Sequence, residues 1–291
     1  MRQNTWLWLI TISLTVLSLA IWSDRQTVSR GRGRTDRIGY SPSRVCTGGN
    51  DGNACIYGVF VGIETYERNW LHRLSGGDEG MVELYKAFVN RRLMRSEDGI
   101  VLTNERATDR EIRDAFVALS RRMRPQDIFV FSFTGHGYTE LLSTYSADVD
   151  VTARHLQNLL QTIPARTLFV DLDTCMSASF DRSMRSLSSK KQVVAVFSSR
   201  ATEDAVDPIL DGFKGPRGNH VTRPRIAYYL YRAVHELGGI NGIVTVSTLT
   251  TFLRARYAEG DAERRHGQHL VITGPDDIVL WRAHPWNRTR H

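Results

Sequence analysis

The chain predicts an α/β fold: an open, mostly parallel central sheet with helices on both faces. Three observations predict it. Short apolar, β-rich runs alternate with stretches of helical period from residue 55 to about residue 272. Two of those runs, Asp127–Thr134 and Thr167–Thr174, read as neighbouring parallel strands. Each then delivers a chemically able side chain, His136 or Cys175, at its carboxyl end. Open α/β sheets place their sites at that edge.

The elements follow in order. Trp6 to Trp22 is an uncharged, mostly apolar run interrupted only by Thr and Ser. We assign residues 1–22 to a hydrophobic signal or membrane anchor, 23–54 to an Arg/Gly/Ser-rich linker and 55–284 to the folded domain. Two fates fit the first segment. Ser18-Leu19-Ala20 has the small residues that a signal peptidase accepts, which implies export after cleavage. Arg25, Arg30, Arg32, Arg34 and Arg37 on its far side would instead hold an uncleaved anchor with the following domain in the cytoplasm.

The domain opens at Cys55–Ile63, whose apolar run predicts a buried first strand. A helix is expected over about 79–93, then a short strand at Ile100–Thr103. Thr108-Asp-Arg-Glu111 is a capping box, and Ile112, Phe116 and Leu119 share one face of the helix it starts. The histidine strand comes next. Thr152 can cap a helix bearing Leu156, Leu159 and Leu160, which leads through Pro164 into the cysteine strand. Val193–Phe197 is a fifth strand. Helices near 223–238 and 247–258 and a strand at His269–Ile272 complete the pattern.

Charge narrows the range of functions. Of the net +7, residues 1–44 carry +5 (seven Arg against Asp24 and Asp36), leaving about +2 for the rest. A nearly balanced globular part lacks the basic face expected of a nucleic-acid binder. Three cysteines are too few for a disulfide scaffold. Cys46 and Cys55 flank the turn-forming Thr47–Ala54. They can pair in an oxidising compartment, or remain two thiols with Cys55 buried at the strand start. No CxxC, HExxH or EF-hand spacing occurs, so no metal site is expected.

His136 and Cys175 read as a hydrolytic dyad. A thiol attacks only as thiolate, and an imidazole can take its proton. Gly135 and Gly137 allow a sharp turn after the strand. The backbone N–H groups of Gly137 and Cys175 are the expected oxyanion donors.

At this point the residues resemble a family. Phe131-Ser-Phe-Thr-Gly-His-Gly137 and Asp171-Leu-Asp-Thr-Cys-Met-Ser177 are similar to the histidine and cysteine motifs of the caspase-like peptidases, the metacaspase-type and bacterial members above all. Weaker echoes are Gly62-Ile63 with Tyr66, Ala107-Thr108, Ser198–Ala205, Asn241–Leu249 and Gly267-Gln268, all in the family's order. The resemblance covers about Ile56 to Trp281 and implies a caspase-like three-layer sandwich. It implies a cysteine endopeptidase with His136 as base and Cys175 as nucleophile. Asp173, two residues before the cysteine, is then implied in the specificity pocket, giving cleavage after Arg or Lys. Asp78, in Leu74-Ser-Gly-Gly-Asp78, is implied as a second pocket charge, and Thr134 stands where relatives often carry serine. The alternative is a caspase-fold interaction or regulatory module without proteolytic activity.

The expected partner is a protein or peptide substrate. The membrane is engaged only through the N-terminal segment, and the sequence leaves the oligomeric state open. No cofactor is expected. Many metacaspases depend on calcium, and Asp148, Asp150 and Asp171 would be the residues to contribute, although their spacing matches no EF-hand loop. Ser179–Lys191 reads as a polar connecting loop placed where the family carries its activation cut, with Arg182, Arg185, Lys190 and Lys191 as basic sites for self-processing.

Overall fold

In the computed structural model the first buried run is strand β1 (Ile56–Gly62), followed by helix α1 (Gly77–Asn90), β2 (Gly99–Thr103), α2 (Asp109–Ser120) and β3 (Ile128–Thr134). Three short strands come next, β4 (Gly137–Tyr138), β5 (Leu141–Leu142) and β6 (Val151–Thr152), then α3 (Ala153–Thr162), β7 (Thr167–Asp173), α4 (Asp181–Leu187) and β8 (Gln192–Phe197). The chain continues through α5 (Arg225–Glu236), β9 (Ile243–Thr245), α6 (Val246–Glu259), α7 (Ala262–His266), β10 (Val271–Thr273) and β11 (Val279–Arg282). The structure describes residues 53–146, 149–207, 212, 223–237, 242–259 and 262–282. The expected hydrophobic segment, nearly all of the linker, Cys46 and Asp148 lie outside them. Among the described residues no helix is long and apolar enough to cross a membrane.

The main sheet has the order β10-β8-β7-β3-β1-β2, parallel throughout except for β10. From β1 the chain runs outward to β2 and then back across to β3, β7 and β8. The order therefore reverses beside β1, which opens a crevice at the carboxyl ends there. Register levels those ends: Gly62 pairs with Thr134, and Thr134 with Asp173.

Alternation along each strand sends successive side chains to opposite layers. Tyr57, Val59, Val61, Phe129, Phe131, Phe133, Leu168, Val170 and Leu172 pack with Ile112 and Phe116 of α2, Leu156 and Leu160 of α3 and Met184 of α4. Ile56, Phe60, Ile128, Val130 and Phe169 face the other way, onto Met81, Leu84 and Phe88 of α1, Ile226 and Leu230 of α5 and Leu249 of α6. This is the three-layer arrangement. Local signals act as expected at two helix starts. Thr108 Oγ1 accepts the N–H of Glu111 at 3.2 Å, and Thr152 Oγ1 that of His155 at 3.2 Å.

One expected loop is a helix. Residues 181–187 form α4 because Phe180, Met184 and Leu187 recur at four- and three-residue spacing and are buried, despite the polar residues between them. Arg182 and Arg185 therefore sit in a helix, which must unwind before a protease can grip it in extended form. Lys191 is held as well, its ammonium donating to the carbonyl of Ala165 at 3.0 Å.

A polar pair interrupts the apolar α1/α5 face. Asp171 is wholly buried, and its Oδ2 accepts the Ser132 hydroxyl at 2.6 Å from the neighbouring strand. Its Oδ1 has no hydrogen-bond partner. Burial drives its pKa well above the ordinary 3.8, Ser132 opposes the shift and the charge of Asp173 adds to it. The folded chain thus keeps a proton that the unfolded chain releases. The associated stability is complete below the unfolded pKa and is lost as pH rises through the folded one. Asp171→Asn is expected to lose less stability than the parent as pH rises above the ordinary carboxylate range, as read by urea midpoints. Equal slopes would refute the protonated state.

Candidate active site

The crevice is a cleft of about 440 Å³ at the carboxyl ends of the strands. Thr134, His136, Gly137, Asp173 and Cys175 all line it. The register places the two chemical residues on adjoining strands, each just beyond the last paired residue.

His136 is fixed from three sides. Its N–H donates to the Tyr66 hydroxyl at 2.6 Å, its carbonyl accepts from Ser143 N at 3.0 Å, and its ring lies 5.1 Å from that of Tyr66. Its Nε2 is 2.8 Å from the carbonyl of His72. A carbonyl can only accept, so Nε2 carries the hydrogen and Nδ1 of the neutral ring keeps its lone pair. Burial lowers the His136 pKa, partly offset by that bond and reinforced by the nearby His72 ring. The resting imidazole is neutral.

Cys175 is presented by a sharp turn. Met176 has φ 52°, a left-handed conformation that is strained for a non-glycine residue. A buried serine network holds it. The Thr174 carbonyl accepts from Ser198 Oγ at 3.2 Å and Ser199 Oγ at 3.0 Å, while Ser177 N–H donates to Ser199 Oγ at 3.1 Å. The serine two residues after the cysteine and the serine pair after β8 thus belong to one clamp. Cys175 is a free thiol, and Ala205 N–H donates to its sulfur at 3.3 Å. Burial raises its pKa, the Ala205 bond opposes the shift, and Asp204 raises it further. Thiol and imidazole both rest uncharged.

Asp173 forms part of the pocket floor. Its Oδ2 accepts the Ile226 N–H at 2.8 Å, at the start of α5. Burial pushes its pKa up; Ile226, Ser198 and the buried Arg225 push it back down. Arg225 itself is only 2% exposed, with its guanidinium 5.8 Å from the Tyr257 ring. Thr134 is buried beside Asp173 and also lines the cleft.

Asp78 is placed elsewhere. It lies in the first turn of α1, accepting from Asn104 Nδ2 at 2.9 Å and from Glu79 N at 2.7 Å. It is not among the residues lining the cleft. Asn104 in turn binds the N–H groups of Glu64 and Thr65, so this network ties together the ends of β1, β2 and α1.

Neither Asp150 nor Asp171 suits a calcium ion. Asp150 pairs with Arg68 at 2.8 Å and accepts Thr144 N–H at 3.1 Å, whereas Asp171 is buried under the sheet. Among the described residues no group of three His, Cys, Asp or Glu converges as an ion requires.

Sequence reading missed His72, Asp204, Asp207 and Arg225 in the cleft wall. His72 acts through its backbone carbonyl, which carries no residue-type signal. Arg225 gives no local sign of burial, since charged residues at helix starts are ordinarily solvated. Asp204 and Asp207 had a usable signal, the acid-rich stretch directly after the fifth strand.

The class that fold and site define is a caspase-like α/β sandwich with a histidine and a cysteine in one cleft. Solved structures support the fold. The chain is similar to caspase-1 of Spodoptera frugiperda, with TM-score 0.54 and 13% identity over 89% of this chain and 100% of that one. Protein GSU0716 of Geobacter sulfurreducens matches with TM-score 0.55 and 13% identity, over 78% of this chain and 97% of that one. No family model and no curated protein matches the sequence.

Proposed function

We propose that the chain is a cysteine endopeptidase of metacaspase type that cleaves after Arg or Lys. The observation that carries this reading is the pairing of Cys175 with His136 on adjoining strands, in one cleft, with the Nδ1 lone pair left available. In this mechanism the Cys175 proton passes to His136 Nδ1, and the sulfur bonds to the scissile carbonyl carbon, moving the C=O π pair onto oxygen. Gly137 and Cys175 N–H groups hold that oxyanion, each worth about 3 kcal/mol. Collapse breaks the C–N bond, and the leaving amine takes the proton from His136. Water, deprotonated by His136, then hydrolyses the thioester and restores the thiol. No step runs through a metal.

Charge supports basic specificity. Among the described residues the cleft wall holds Asp173, Asp204 and Asp207 against Arg225, a formal balance of −2. Thr134 completes the floor beside Asp173. Incubation with a peptide library is expected to give cuts after Arg and Lys. Cuts after acidic residues, or none in protein shown to be folded, would overturn the assignment.

The raised thiol pKa favours a second reading, a caspase-fold module that binds peptides without cleaving them. The same library experiment separates the two.

We place the domain in an oxidising compartment, tethered by Trp6–Trp22 or released from it. Cys55 is disulfide-bonded, and such bonds persist where thiols are not kept reduced. Denatured, unreduced protein is expected to titrate with a thiol reagent at one of its three cysteines. Three reactive thiols would remove the argument for export.

A further inference from the structure

We infer that Asp204 reads the basic side chain of the substrate and, until that side chain arrives, keeps the proton on Cys175. This rests on the proposed peptidase reading and adds a residue that couples recognition to ionisation of the nucleophile.

The geometry begins with the strap Arg200–Asp207, which follows β8 and crosses over the cysteine. It is pinned on both sides of Asp204. At Glu203, the carbonyl accepts Met176 N–H at 2.7 Å, and the carboxylate accepts the N–H groups of Arg200 at 3.0 Å and His269 at 2.9 Å. At Val206, the N–H donates to Gln268 Oε1 at 3.2 Å; Gln268 is itself buried and bonded to the Ser198 carbonyl at 2.9 Å. Between those pins, Ala205 meets the sulfur through its N–H at 3.3 Å and its carbonyl at 3.7 Å. Asp204 therefore cannot drift from the nucleophile.

Asp204 is exposed and lines the same cleft as the buried Asp173. Asp173 is engaged by Ile226 N–H and by the charge of Arg225, and Asp204 adds a second carboxylate to the reading of the substrate cation. Asp204 is next in the chain to Ala205, whose carbonyl accepts the thiol hydrogen at 3.7 Å and whose N–H meets the sulfur at 3.3 Å, and its charge opposes the thiolate. Among the described residues the other titratable or charged groups lining the cleft with the sulfur are His72, His136, Tyr138, Asp173, Asp207 and Arg225.

A guanidinium that pairs with Asp204 changes this balance. The carboxylate accepts from the guanidinium N–H groups. Its charge is compensated, and the thiol proton moves from Sγ to His136 Nδ1. A neutral substrate leaves the proton where it is. The nucleophile is thus activated by the ligand it is meant to cut.

The test uses the full chain, the Asp204→Asn variant and iodoacetamide alkylation of Cys175, followed by mass spectrometry across pH. Agmatine, a guanidinium with no scissile bond, serves as the probe. Asp204→Asn is expected to shift the alkylation profile to lower pH and to speed the reaction about three- to tenfold near neutrality, one pKa unit being tenfold. Agmatine is expected to accelerate alkylation of the parent and not of the variant. Superimposable profiles for the two proteins would overturn the proposal, as would an agmatine effect that is missing in the parent or retained in Asp204→Asn. With turnover, the parent's preference for an Arg reporter over its neutral isostere citrulline should fall about tenfold in the variant. Alkylation needs no peptide cleavage, so a chain that cuts nothing sinks the peptidase reading, whereas matching alkylation profiles sink this one.

Discussion

Cys175→Ala is expected to abolish cleavage of Arg-terminated reporter peptides, by at least about 10⁴-fold in kcat, while the protein stays folded. The size follows from the mechanism: without sulfur there is no acyl-enzyme, and the oxyanion donors have no intermediate to hold. His136→Ala should fall by a similar factor, and the double variant little further, because the two residues act as one unit. The turn at Met176 is held by Ser177, Ser198 and Ser199, none of which bonds to the sulfur, so the truncation leaves its scaffold in place. Circular dichroism and the thermal midpoint check the fold, and stopped assays check turnover. Cys175→Ala turnover within tenfold of the parent would remove Cys175 as nucleophile.

Asp173→Asn should cost about 3 kcal/mol of stability and most of the preference for Arg and Lys. The amide keeps the shape and can still accept Ile226 N–H, but a negative charge coupled to buried Arg225 is gone. Removing one of two coupled buried charges is costly because the other remains out of water. A second substitution distinguishes this from a simple packing defect. Asp173→Asn combined with Arg225→Met should recover part of the lost stability, since both coupled charges are then gone, yet the preference for basic residues should not return. Urea midpoints give the first quantity and kcat/KM ratios for Arg against citrulline reporters the second. A double variant no more stable than Asp173→Asn alone would show that the pair is not the source of the loss.

The main elements were legible because their signals are local. β1, β3, β7 and β8 are apolar runs of the length a buried strand needs, and Thr108 and Thr152 announce their helices through hydrogen bonds to residues three positions on. The short strands were not legible. β4, β5 and β6 have two residues each, and β9 pairs with β11 across more than thirty residues of chain. Such pairs exist only once the sheet has brought them together. Helix α4 was hidden for a different reason. Its apolar positions are only Phe180, Met184 and Leu187, too few to stand out in a serine- and arginine-rich stretch, yet all three are buried against the layer that holds α3.

His136 and Cys175 were readable from sequence because chemistry at a strand end is a one-dimensional pattern: an apolar run, then a residue type that can act. From that pattern the sequence by itself determined the sheet, the edge at which the site lies and the two side chains that meet there. Tertiary structure alone decided their state and surroundings. It put the His72 carbonyl on Nε2, leaving the Nδ1 lone pair available. It sent Asp78 to the Asn104 network and brought Asp204 and Asp207 into the cleft instead. It also set Arg225 beside Asp173 and laid Ala205 on the sulfur. The physical reason is that protonation and charge depend on what lies within a few ångströms in space, and those neighbours here come from positions 30 to 64 residues away along the chain.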